Sequence, residues 1–460
     1  MSLPAEQTEE QLPPLGALPP ANTRHDPYAA FRSVPYARFA ASFVLAALAN
    51  QAIATTVAWQ FTKHLTNEGD KALALGGIGL IQAIPILLLA LPAGHVADSQ
   101  PRRTILWITQ ALLVASACLL GLMLLTDQFQ IGLAYGLLLV NAIAFTFQRP
   151  ARASMMPTLV PAKDISNAVT WNATIFETCS VAGPAVAGPL IQYFSPAVAM
   201  FASAAMAAAG LVLIVQLPRA AAAAAKERPN FASLMAGLRF VFRTRLLLAV
   251  MSLDLFAVLL GGAVYLLPIF AERLHLGAVG FSWLLAAPSI GAIGMALVIA
   301  HLPPMKRAGP AMLAAVALFG VATIVFGLST SFWLSFAMLV VCGIADNISV
   351  VVRHSLVQML TPDAMRGRVG AANQIFIGSS NELGGLESGL TARWMGPVAS
   401  VVTGGIGVLV VVVIVALRFP EVRRLRKLSD VSPVDAEGGG RDVPVKPIEA
   451  AAGPSPAGGG

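Results

Sequence analysis

Long apolar runs, each near the 20 or so residues that carry a helix across a bilayer, alternate with short polar turns along most of the chain. They occupy residues 36–60, 73–97, 104–126, 131–149, 166–193 and 196–217, then 246–270, 278–302, 309–328, 331–354, 369–393 and 397–417. The pattern predicts an all-α membrane protein of twelve transmembrane helices in two six-helix bundles, 36–217 and 246–418. Between the bundles, residues 218–245 break the rhythm with a run of alanines, a Lys-Glu-Arg-Pro turn and the stretch FASLMAGLRFVFRTR. Its apolar residues recur at helical spacing, which reads as a linker carrying an amphipathic helix on the membrane surface. Residues 1–35 and 419–460, rich in Pro, Gly and polar residues, read as disordered tails. The N-terminal stretch lacks the basic start and apolar core of a cleaved signal.

The second bundle repeats the first. At a spacing of 201 positions Arg152 falls on Arg353, Pro161 on Pro362, Asn172 on Asn373, Gly183 on Gly384 and Gly188 on Gly389. Earlier in each half the spacing is 203, pairing Gly77 with Gly280 and Pro85 with Pro288. Parallel six-helix repeats of this kind place a substrate site near the midplane between them.

Composition agrees with a membrane protein: 57% of the 460 residues are apolar and only 12% charged, about half the charge of a soluble domain. The net charge of +7 would suit nucleic acid, but the basic residues alternate between loops. Nearly all fall on the side that holds both termini, while the other side holds only Lys63, Lys71, Arg273 and Arg393. By the positive-inside rule both termini are cytoplasmic. Charge here reports topology, and no nucleic-acid partner is expected. Cys118, Cys179 and Cys342 sit within apolar runs without metal or disulfide spacing. No phosphate-binding loop and no GxSxG nucleophile motif occurs, so neither an ATPase nor a hydrolase is expected.

One polar segment stands out, LPAGHVADSQPRRTIL from Leu91 to Leu106, read as a hydrophilic hairpin between two apolar runs. Gly94, Ala97, Asp98, Arg102 and Arg103 resemble the loop between helices 2 and 3 of major facilitator transporters. Ser99 and Pro101 depart from that family's usual Arg and Gly. FQRPARASMMPTLVP (Phe147 to Pro161), VAGPAVAGPL in the fifth run, TPDAMRGRVGAAN from Thr361 and SNELGGLESG from Ser380 are similar to the branch containing enterobactin-type siderophore exporters and macrolide-efflux proteins. The GPxxxG of Gly183, Pro184 and Gly188 resembles the antiporter helix of drug exporters. The resemblance implies export of a small drug- or siderophore-like molecule in exchange for protons. It also implies that Asp98 docks against the start of the eleventh helix near Arg366 and Arg368. Such a contact would lock the cytoplasmic end.

Charge inside a membrane span costs about 2.5–3.5 kcal/mol on insertion scales, so intramembrane acids demand a reason. Glu177, Asp254, Asp346, Glu382 and Glu387 form the candidate list for proton coupling, because a carboxyl group taken out of water holds a proton more readily. Glu382 maps by the repeat to position 181, one turn from Glu177, which places the two at similar depth in opposite halves. Asp346 is the acid expected to be structural, with Arg353 two turns along the same face. Each acid could equally be a buried ion pair.

The cavity is expected to be lined from the first half by Asn50, Gln51, Thr55, Trp59, Asn141, Phe145, Asn172 and Phe176. From the second half come Phe256, Tyr265, Asn373, Gln374 and Asn381. Such a set suits a bulky amphipathic ligand held by stacking and a few hydrogen bonds. Arg149, Arg152 and Arg353, near the inner mouth, could attract an anion or anchor helix ends. The expected partners are this cargo, protons and membrane lipids, without cofactor or metal, and the expected state is a monomer. A lipid or lysolipid flippase is an alternative, as is a receptor or scaffold that has kept the fold. The costly intramembrane acids argue against the scaffold.

Overall fold

The computed structural model describes residues 26–218, 231–303 and 305–426. The tails expected over residues 1–25 and 427–460, and the alanine-rich linker over 219–230, lie outside them. With no water in a bilayer core to bond exposed amides, the chain closes its backbone hydrogen bonds within helices.

The first half comprises α1 (Val34–His64), α2 (Glu68–Ser99), α3 (Arg102–Leu125), α4 (Ile131–Met155), α5 (Ile165–Pro189) and α6 (Pro196–Val215). Local chemistry sets several starts. Ser33 caps α1 by accepting from the Tyr36 amide, Asn67 caps α2 through Gly69 at 2.8 Å, and Ser195 caps α6 through Val198 at 3.2 Å. The second half comprises α7 (Phe231–Arg243), α8 (Arg245–Leu260), α9 (Leu267–Arg273), α10 (Ala278–His301), α11 (Ala308–Leu328), α12 (Phe332–Leu360), α13 (Arg366–Met395), α14 (Pro397–Arg418) and α15 (Pro420–Arg424). Here α8 and α9 are two pieces of the seventh span.

Packing repeats as the sequence does. The pairs α2–α4, α3–α4, α3–α6, α1–α5 and α1–α6 of the first half recur as α10–α12, α11–α12, α11–α14, α8–α13 and α8–α14. The halves meet along α2 against α13 and α5 against α10. Among the described residues, 11 segments are long and apolar enough to cross a membrane. The eleventh span in order, α13, falls short because Asn373, Gln374, Asn381, Glu382 and Glu387 interrupt it. It is sheltered between α2, α7, α8 and α14.

Several boundaries differ from expectation. The segment from Leu91 to Leu106 is mostly helix, because α2 runs to Ser99 and only Gln100 and Pro101 separate it from α3. Both α4 and α12 continue one to two turns beyond their apolar runs. Residues 26–33, expected in the tail, fold onto the start of α5. Asn167 accepts from the Ala30 amide at 3.1 Å and donates to the Pro27 carbonyl, and Tyr28 stacks on Trp171. Residues 419–426 likewise carry α15 and return to α11, where the Ala308 amide bonds the Arg426 carbonyl at 2.9 Å. The amphipathic helix α7 packs on α13 and α8 with Phe240 and Val241 buried, so its apolar face covers protein.

Candidate functional site

A layer of contacts joins the halves at the end opposite the termini. Glu272 on α9 accepts from Lys63 of α1 at 2.9 Å and from Lys71 of α2 at 2.6 Å. Arg393 of α13 pairs with Asp70 of α2. Trp59 stacks on Phe281 at 5.6 Å, and Gln192 accepts from the Val279 amide at 3.0 Å. Glycines allow this approach. A Cβ at Gly76 would sit 2.8 Å from Gly389 Cα, and one at Gly188 would strike Ser282 and the Ala278 carbonyl. The expected antiporter segment is therefore an interface. Gly183 meets Gln51 of α1, Gly188 meets α10, and Pro184 is buried inside α5.

Two adjoining cavities of about 210 and 220 Å³ lie between this sealed layer and the end that carries the termini. Asn50, Gln82, Asn141, Phe145, Phe176 and Glu382 line both. Gln51 and Gln148 add to the first; Arg149, Gln374 and Asn381 add to the second. The lining is thus dense in primary amides. Asn141 is 7% exposed, and neither its amide oxygen nor its nitrogen has a partner. An unpaired buried amide costs about 1–3 kcal/mol, and this one belongs to a residue that lines both cavities.

Glu382 is the acid brought to this site. Its Oε2 accepts a hydrogen bond from the Tyr265 hydroxyl. Tyr265 reaches it because the seventh span breaks at Gly261 and Gly262 into a 3-10 turn, Ala263–Leu266, before resuming as α9. Non-helical backbone is tolerated at this depth where protein surrounds it, and Gly262 packs against the Gly384 carbonyl of α13. Arg149, held 5.5 Å over the Phe145 ring, supplies the cation of the second cavity.

The other acids sit elsewhere. Asp254 is ion-paired with Arg353, both side chains almost fully buried at 6% and 4% exposure. The direct partner of Arg353 is therefore Asp254 and not Asp346, which feels the guanidinium's charge without bonding it. Seven residues along one helix are about 10 Å apart, whereas α8 brings Asp254 to the guanidinium directly. Asp346 lines a small void with Asp254, Phe319 and Ser349 and makes no hydrogen bond or ion pair among the described residues. Glu177 is exposed on α5, outside the two cavities; Glu387 is half-buried, with Ser388 at 3.4 Å.

Several expected lining residues also fall elsewhere. Thr55 turns back to the Gln51 carbonyl, Trp59 belongs to the sealed layer, and Phe256 is exposed away from both cavities. Asn172 and Asn373 each hold a buried, unpartnered Oδ1 outside the cavity linings. Tyr265 stands behind Glu382 rather than on the wall. Gln82 and Gln148 went unpredicted, although a lone glutamine in an apolar run was the same signal that singled out Asn50 and Asn141.

At the termini end, Gly94 and Asp98 lie in the last turns of α2, and Asp98 makes no hydrogen bond or ion pair among the described residues. The expected docking of Asp98 on α13 is absent from this conformation. Arg102 bonds the Ser154 carbonyl at 3.0 Å and Arg103 the Val215 carbonyl, each tying helix ends within the first half. Arg366 pairs with Asp363 one turn away at 2.8 Å, and Arg368 reaches the Met365 sulfur. Arg152 is buried between the Phe39 and Phe43 rings.

The profile of the transmembrane secretion effector family matches residues 26–435. Enterobactin exporter EntS of Escherichia coli is 24% identical over 398 residues, covering 86% of this chain and 94% of that one. EntS of Citrobacter koseri is 25% identical over the same length. A bacterial homologue of the human lysosomal transporter Spinster, solved inward-facing and unoccupied, superposes with a TM-score of 0.64 at 13% identity, over 85% of this chain and 98% of the other. That likeness concerns the fold alone.

Proposed function

This chain belongs to the transmembrane secretion effector family of major facilitator transporters, and on that premise we propose that it exports a small amphipathic molecule across the inner membrane in exchange for protons. The observation that carries the reading is Glu382, an acid from the second half set in cavities walled mainly by the first. A group there meets cargo and proton alike and feels the halves move. The family relatives support export, and EntS, named as an enterobactin exporter, supports a siderophore-sized cargo.

With the termini in the cytoplasm, the sealed layer faces outward and the cavities belong to an inward-facing state. Cargo enters between the halves from the cytoplasm, and its polar groups satisfy the amides of Asn50, Gln82 and Asn141. Glu382 gives up its proton to the cytoplasm as cargo arrives, and Tyr265 steadies the resulting carboxylate by donating to it. The halves then rock, parting Glu272 from Lys63 and Lys71 and Asp70 from Arg393. On the outer side a proton returns to Glu382, weakens its hold on cargo, and the empty protonated carrier closes again. Each ligand shifts the equilibrium only through its different affinity for the two states.

Purified protein in liposomes with a pH-sensitive dye inside tests this against catecholate siderophores, macrolides and lipophilic cations. One class should drive proton movement against its own flux. Cargo movement without proton movement would make the protein a uniporter.

A further inference from the structure

Arg152 is 5% exposed, and none of its three guanidinium nitrogens has a hydrogen-bond partner. The group stays protonated wherever it is placed. Its neighbours are two ring faces, Phe43 at 4.7 Å and Phe39 at 5.4 Å, which attract a cation but supply no countercharge. An ion taken out of water without a partner is among the costliest things a fold can hold.

The second half shows the ordinary solution. Arg353, the repeat equivalent on α12, meets the Asp254 carboxylate from α8, which begins the first membrane span of its own half. In the first half the corresponding helix, α1, presents the Phe43 ring instead. The protein has therefore kept the cation and omitted the anion on one side only. Phe43 also lines the first cavity, as does Gln148 one turn before Arg152 on α4. The Phe43 ring thus touches both the guanidinium and the cavity.

We infer that Arg152 is an anion-binding subsite at the floor of the first cavity, reached past Phe43 and filled by a compact anionic group. The group is a carboxylate-like part of the cargo or a small free anion. Where it belongs to the cargo, the inference rests on the export reading above; the site itself does not.

The test measures thermal unfolding of the full-length purified protein in gluconate buffer, titrated with sodium benzoate or with sodium chloride. Because a ligand of the folded state stabilises it by mass action, benzoate should raise Tm saturably by about 2 °C or more. Arg152→Gln should abolish the rise. Phe43→Asp, which supplies the missing carboxylate internally, should fold with a higher Tm than wild type in gluconate and no longer respond. A response to benzoate alone assigns the site to an organic anion of the cargo kind, and a response to chloride of equal size assigns it to a free anion. No saturable rise in the wild type, or the same rise in Phe43→Asp, would overturn the subsite whether or not the protein proves to be an exporter.

Discussion

The Tyr265 hydroxyl donates to the Glu382 carboxylate across the junction of the broken seventh span and α13. The contact couples the one irregular stretch of that span to the acid that faces the cavity. A hydrogen bond to a charged group contributes about 1.5–3 kcal/mol. Tyr265→Phe keeps the ring packed on Gly385 but removes the bond. Proton-driven export should fall about tenfold or more, while cargo-for-cargo exchange, which needs no release of the proton, stays near wild type. Comparing the two fluxes in liposomes checks this.

The Asp254–Arg353 pair should behave as a structural element. Removing one partner of a buried pair costs about 3–5 kcal/mol, whereas replacing both by apolar residues of similar size is close to neutral. Asp254→Asn should therefore lower Tm in detergent markedly, and Asp254→Leu combined with Arg353→Met should restore most of the loss. Equal losses in the single and double variants would show that the charges serve something other than each other.

Asn141 should show the opposite balance between stability and function. Its amide is buried and unpaired, so Asn141→Leu removes an unsatisfied polar group and leaves Tm unchanged or raised. The same change takes a donor and an acceptor from the cavity wall. The KM for cargo should rise about tenfold or more, since a site built to bond a polar group discriminates strongly when that bond is lost.

Glu272 holds two lysines from the other half at the sealed end. These partly exposed ion pairs contribute about 0.2–1 kcal/mol each, enough to bias two nearly balanced states. In a background without native cysteines, Asn50→Cys reports access to the cavity. Adding Glu272→Gln should speed its labelling by an impermeant thiol reagent applied from outside by a few-fold, and slow labelling from inside.

Much of the fold was legible because a bilayer imposes a length and a polarity that no other setting does. Even α13, too polar to qualify as a span by hydropathy, was read as one from its run over 369–393, and Asn373, Gly384 and Gly389 repeat Asn172, Gly183 and Gly188 there. Helix ends were less legible, since α4 and α12 continue past the points where their apolar runs stop. Asn50, Asn141, Phe145 and Phe176 stood out as polar or aromatic residues in apolar runs and do line the cavities. Thr55 gave the same signal but spends its hydroxyl on its own helix. The partner of Arg353 was misjudged because spacing along one helix says nothing of what an adjacent helix brings. Asp254 is distant in sequence and adjacent in space.

The central claim is that Glu382 couples proton to cargo. It is tested most directly by reconstituting the wild type and Glu382→Gln side by side and recording cargo-driven proton movement together with counterflow of labelled cargo. The account predicts that Glu382→Gln loses proton movement and shows counterflow only at raised cargo concentration, as a carrier locked in the neutral form that holds cargo weakly should. Proton movement that survives at the wild-type rate in Glu382→Gln would contradict it.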